Sequence, residues 1–147
     1  MNDFEREIFR SLKLYFPFYG RTESLSSRYK RSEKLFPDFW AWNGHFIFLE
    51  AKSCKEKKFY PRGRVKKHQL TDLVKNEELG GVSFVLVNFR ARKPRTLVVP
   101  TKYLRDTRIT IKSRRYPELR RWKKDRKFYW DLSKLNDIIK QKGNGKN

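Results

Sequence analysis

One cysteine, one methionine and two histidines are found among the 147 residues of this chain. The solitary Cys54 excludes an intrachain disulfide framework and any Cys-rich zinc site. No apolar run approaches the ~20 residues of a membrane-spanning helix. The longest, Val82 to Phe89, has the length of a strand. No basic-then-apolar start resembles a signal peptide, so a reducing cytoplasm is expected, the host's if the source is viral. Acidic residues are scarce as well: 16 Asp and Glu stand against 37 Lys and Arg, a formal net charge of +21. That excess points to a polyanionic partner, nucleic acid or an acidic membrane. No amphipathic helix with a clean basic and apolar split is visible, which ranks the membrane last.

What the chain does have is aromatic side chains: 12 Phe, seven Tyr and four Trp, too many for a solvated disordered polymer. The length suits one domain with one real core. Residues 2–16 predict a helix, with Phe4, Ile8, Leu12 and Tyr15 on one stripe, acids in the first turn and Pro17 as the stop. A polar stretch, 21–34, reads as a surface loop; its Ser24, Arg28, Lys30 and Arg31 suit a phosphate-contacting arm. Two aromatic-rich runs flank Asn43-Gly44, the strongest short-range hairpin signal. A basic loop over 55–66 precedes a helix over 68–78, closed by Gly80-Gly81; Lys55, Arg62, Arg64, Lys66 and Lys67 are its candidate phosphate contacts. Val82 to Phe89 reads as a buried central strand and Thr96 to Val99 as a further one. Residues 105–127 hold eleven Lys or Arg, ahead of a last short helix through Ile139 and a tail expected to fray after 142. The order implies a single α/β domain with a mixed sheet: a core over 1–104 and a basic C-terminal extension over 105–147 packed on it.

Because acids are rare, those on strands are the informative ones. Asp38 and Glu50 both lie among large apolar neighbours, and burying an unpaired carboxylate costs several kcal/mol. Lys52 shares a strand face with Glu50. A two-residue Asn43-Gly44 turn would set Asp38 opposite Leu49, with Glu50 on the other face. A three-residue loop, or a bulge, sets Asp38 opposite Glu50, so a site built on both requires the irregular hairpin. Two such carboxylates about 4 Å apart repel by roughly 4 kcal/mol at an effective dielectric of 20. Lys52 offsets part of this and a divalent cation more. Hard oxygen donors favour Mg²⁺, with Mn²⁺ as substitute, over Zn²⁺. Asp, Glu and Lys around such a metal, in a strongly basic chain, fit phosphodiester hydrolysis, with Lys52 orienting or activating the water.

Phe36-Pro37-Asp38, then eleven residues, then Glu50-Ala51-Lys52 resembles the PD-(D/E)XK nuclease signature. Glu5-Arg6-Glu7 and Phe39-Trp40-Ala41-Trp42-Asn43-Gly44 are similar to archaeal-type Holliday junction resolvases. Lys67-His68-Gln69 is closer to their bacterial RecU relatives, and the similarity covers about residues 3–100. The resemblance implies a restriction-endonuclease-like mixed sheet flanked by helices. It also implies Asp38, Glu50 and Glu5 as metal ligands, Lys52 as the catalytic lysine and Gln69 as a supporting site residue. Arg6 and Arg21 would contact phosphate. The implied protein is a homodimeric, Mg²⁺-dependent enzyme that cuts paired strands of four-way DNA junctions, with no small-molecule cofactor. The segment after residue 105 is longer and more basic than the archaeal pattern, and no insertion resembles the RecU stalk. A restriction-like or repair endonuclease acting on duplex or flap DNA, and a non-catalytic nucleic-acid-binding module, remain alternatives.

Overall fold

The computed structural model describes residues 1–22, 37–105 and 108–144. Helix α1 (Asp3–Tyr15) forms on the expected stripe, burying Phe4, Ile8 and Leu12, and Asn2 caps it by accepting the Glu5 amide at 2.8 Å. Strands β1 (Phe18–Arg21), β2 (Phe39–Trp42) and β3 (Phe46–Cys54) follow. Then come the two-residue β4 (Lys58–Phe59), the single-turn α2 (Pro61–Arg64) and α3 (Lys67–Glu78). The chain continues through β5 (Val82–Phe89), β6 (Arg95–Pro100), β7 (Ile109–Thr110), β8 (Glu118–Leu119), β9 (Arg121–Lys124), β10 (Lys127–Trp130) and α4 (Ser133–Asn144).

Six strands make the main sheet in the order β1-β2-β3-β5-β6-β8. Only β3 and β5 run parallel; the other pairs are antiparallel. A parallel pair cannot be joined by a tight turn, so the chain crosses over through α3. The sheet is therefore mixed and flanked by helices, the α/β class expected.

Alternation along the central strands divides the interior in two. Leu49, Ala51, Phe84 and Leu86 face α1 and α4, meeting Phe4, Ile8, Leu12, Leu135, Ile138 and Ile139. Val85, Val87 and Phe89 point the other way, toward Leu73 of α3 and the small β4–β7 ribbon with Phe59 and Ile109. All eight residues of β5 are buried, the behaviour of a strand covered on both faces. Cys54 is part of the second core, its thiol donating to the Lys58 carbonyl at 3.1 Å.

Several elements depart from the sequence reading. Residues 55–66 are not plain loop, since β4 and α2 lie within them. β1 closes the sheet edge where only a loop start was expected. The last helix runs to Asn144 rather than Ile139. The basic stretch after residue 105 holds β7 to β10, and Tyr116 and Trp130 are buried.

Asn76 pins α3 to the sheet. Its amide nitrogen lies 3.3 Å from the Phe46 carbonyl, 3.0 Å from that of Val82 and 3.1 Å from Ser83 Oγ. Gly81 leaves room for that side chain, and a Cβ there would collide with the Asn76 amide. Gly81→Ala is expected to destabilise the fold by about 1–3 kcal/mol through overpacking. Thermal melting checks this, and an unchanged midpoint would show that the Asn76 contacts yield freely.

Candidate active site

The hairpin register decides whether two carboxylates meet. Trp42 pairs with Phe46 and Phe39 with Leu49, so Asn43-Gly44-His45 forms a three-residue loop. Gly44 takes the left-handed backbone (φ +100°) that such a loop requires. Continuing that register sets Asp38 opposite Glu50, the irregular alternative of the two. The missed strand β1 holds this end in place. The Thr22 amide donates to the Asp38 carbonyl at 3.3 Å, and the Thr22 hydroxyl donates to the Pro37 carbonyl.

The two acids are fastened reciprocally by backbone. The Asp38 amide donates to Glu50 Oε1 at 3.1 Å, and the Ala51 amide donates to Asp38 Oδ2 at 3.0 Å. Glu50 is only 2% exposed. Lys52 Nζ lies 3.2 Å from Glu50 Oε2 and donates to Gln69 Oε1 at 3.2 Å. Gln69, buried at the start of α3, donates from Nε2 to Glu50 Oε2 at 3.4 Å. Its Oε1 also accepts the Lys66 backbone amide at 3.0 Å, so the side chain serves as a helix-start cap while it touches the site. Asp38, Glu50, Lys52 and Gln69 thus form one connected group.

Burial first, and then the adjacent Asp38 charge, push the Glu50 carboxyl up to about 8 against the opposing pull of the Lys52 ammonium. The strand therefore carries a group whose charged form is poorly tolerated without another cation beside it.

Glu5 stands in the first turn of α1. Among the described residues no three His, Cys, Asp or Glu side chains converge to hold a metal, and the carboxylates joined by the contacts above are Asp38 and Glu50. Arg6 is exposed and ion-paired with Asp3 at 3.0 Å. Arg21 ends β1, its guanidinium 5.9 Å from the centre of the Phe9 ring. Arg64 donates to the Ser53 carbonyl at 2.9 Å and lies over Phe59, while Lys55, Arg62, Lys66 and Lys67 are exposed near the β3 end and the α3 start. Ser24, Arg28, Lys30 and Arg31 lie outside the described residues.

The supports that sequence reasoning missed are Thr22 and the Lys66 amide. The second had a signal, a Gln three residues after the helix-start position. The first had none, because β1 is too short and too mixed to stand out.

The profile of the Recombination protein U (RecU) family matches residues 26–126, more than half of the chain. The chain belongs to the RecU family. Among solved structures, Hjc of Archaeoglobus fulgidus, a Holliday junction resolvase from an archaeal hyperthermophile, is 22% identical with a TM-score of 0.39. The match covers 50% of this chain and 61% of that one, less than two thirds of its length. A comparison with curated proteins finds no match.

The raised Glu50 carboxyl sets a pH dependence. Between the ordinary value of 4.5 and about 8, the folded protein retains a proton that the unfolded chain has released. The contribution of Glu50 to the stability of the metal-free protein is thus greatest below that window and falls as pH rises through it. Glu50→Gln is expected to flatten this slope, so that the variant melts above wild type at about pH 8.5. Parallel melting curves for the two across the window would contradict the raised value.

Proposed function

We propose that this protein is a Mg²⁺-dependent, structure-selective endodeoxyribonuclease that resolves four-way DNA junctions by paired phosphodiester hydrolysis. The observation that carries the reading is the connected group of Asp38, Glu50, Lys52 and Gln69 inside a chain of net charge +21 that belongs to the RecU family.

The donor set suits a hard divalent cation. Two carboxylates answered by one ammonium leave negative charge uncompensated once both ionise, and Mg²⁺ takes one or two carboxylates while keeping several waters. Asp38 and Glu50 would hold it, with Mn²⁺ as substitute, and when bound it would polarise the phosphate and acidify a coordinated water. The chain's own residues do the rest. Gln69 turns its oxygen to Lys52 and its nitrogen to Glu50, which fixes the lysine head. An ammonium has three N–H groups. Glu50 and Gln69 take two, so the third can orient the attacking water or a phosphate oxygen. Lys55, Arg62, Arg64, Lys66 and Lys67 lie on the site's side of the sheet and would hold flanking phosphates.

Symmetric cutting of two strands needs two equivalent sites, which a two-fold homodimer supplies. Phe18, Trp42 and Phe46 are cross-strand neighbours exposed by 62%, 42% and 39%, an apolar row suited to a second copy.

Cleavage of a labelled four-way junction, with nicked, flapped and plain duplex DNA alongside, tests the reading. Junction cutting is expected to require Mg²⁺ and to be lost in Asp38→Asn. Lys52→Ala is expected to slow it by about 10²–10⁴-fold, and Gln69→Ala by about 10–100-fold. Mg²⁺ should also raise the melting temperature of wild type at about pH 8 but not that of Asp38→Asn. Equal cutting of plain duplex would point to a restriction-like enzyme, and no Mg²⁺-stimulated cutting to a binding module.

A further inference from the structure

The β9–β10 hairpin breaks local rules at its tip. Lys124 pairs with Lys127, so Asp125 and Arg126 alone make the turn. Both have left-handed backbones, φ 51° and 66°, the geometry of a tight hairpin turn in which glycine is the unstrained choice. The directly opposed residues carry like charges, itself unfavourable. Lys123, Lys124, Arg126 and Lys127 are all exposed, and among the described residues no side-chain hydrogen bond or ion pair engages Lys124, Arg126 or Lys127.

The root of the same hairpin is rigidly mounted. Trp122 stacks on Tyr129 with ring centres 4.4 Å apart, and Arg121 lies 3.5 Å over the Phe128 ring. Arg121 also meets Glu7 of α1 at 3.2 Å, and the Trp130 indole donates to the same carboxylate at 3.0 Å. Arg10 donates to the Phe128 carbonyl at 2.8 Å. Beside this root lies a cleft of about 430 Å³ whose lining includes Asp3, Glu7, Ser53, Arg90, Arg92 and Arg121. Ser53 directly follows Lys52 in β3.

We propose that the β9–β10 hairpin is a DNA-gripping ribbon that seats its cationic tip in the major groove of a duplex arm adjoining the cut site. Strain and like charge concentrated on a firmly held tip mark a constraint other than folding. The charge selects a polyanion, and a two-stranded ribbon fits the major groove. Lys123, Lys124, Arg126 and Lys127 meet the phosphates along the groove edges, while Arg90 and Arg92 extend the track around the α1 side toward β3. This role rests on the nuclease reading but concerns residues outside the hydrolytic group.

Arg126→Gly separates gripping from folding because its two effects have opposite signs. Glycine relieves the left-handed strain, so the variant is expected to melt above wild type. Its affinity for a four-way junction, measured by anisotropy in EDTA, is expected to fall about fivefold, with the salt slope reduced by about one. Lys124→Ala/Lys127→Ala should lower the slope by about two. Guanine N7 protection on one arm, present in wild type, should weaken in both variants. Wild-type affinity and salt slope in Arg126→Gly would overturn the ribbon's role. Failure of wild type to bind any DNA would instead overturn the nucleic-acid reading as a whole.

Discussion

A single buried carboxylate constrains much of this molecule. Glu50 sits in the middle of β3 with almost no access to water, between Leu49 and Ala51, which belong to the opposite core. An isolated charge there is too costly to keep. Its neighbours are arranged around it accordingly: the Asp38 amide on one oxygen, Lys52 and Gln69 on the other. Each partner comes from a different element, so the hairpin register, the β3 pleat and the start of α3 must all be right together. Shifting the hairpin by one residue would turn Asp38 away and leave Glu50 less well satisfied.

This dependence explains what was legible in the sequence. Val82 to Phe89 could be read outright, because a strand buried on both faces has no polar residue to confuse the pattern apart from Ser83 and Asn88. Both of those are hydrogen-bonded internally. The pairing of Asp38 with Glu50 was legible only as one of two registers. Asn43-Gly44 favours a two-residue turn locally, and His45 joins the loop in the fold. The carboxylate pair is consistent with that wider loop, but local turn preference alone does not select it.

The illegible elements share a physical cause. β1 is four residues long and gains its place from pairing with β2, a non-local contact that leaves no periodicity. The β9–β10 hairpin turns on Asp125-Arg126, which lacks the glycine that announces such a turn, and its strands, Arg-Trp-Lys-Lys and Lys-Phe-Tyr-Trp, show no polar and apolar alternation.

The alternation of β3 also links the two faces. Glu50 and Lys52 project toward α3, whereas Ser53 lines the cleft beside α1 and the hairpin root. One strand therefore carries the hydrolytic candidates on one face and borders the cleft on the other. The acids obey the same geometry. Glu7 is occupied by Arg121 and Trp130 at the hairpin root, and Glu50 by Lys52 and Gln69 at the site. In a chain of such positive charge, a carboxylate facing a phosphate surface would repel the partner that the rest of the protein attracts. Glu7 and Glu50 are instead engaged by internal cations, at the hairpin root and at the site, whereas Asp125 stands exposed between Lys124 and Arg126.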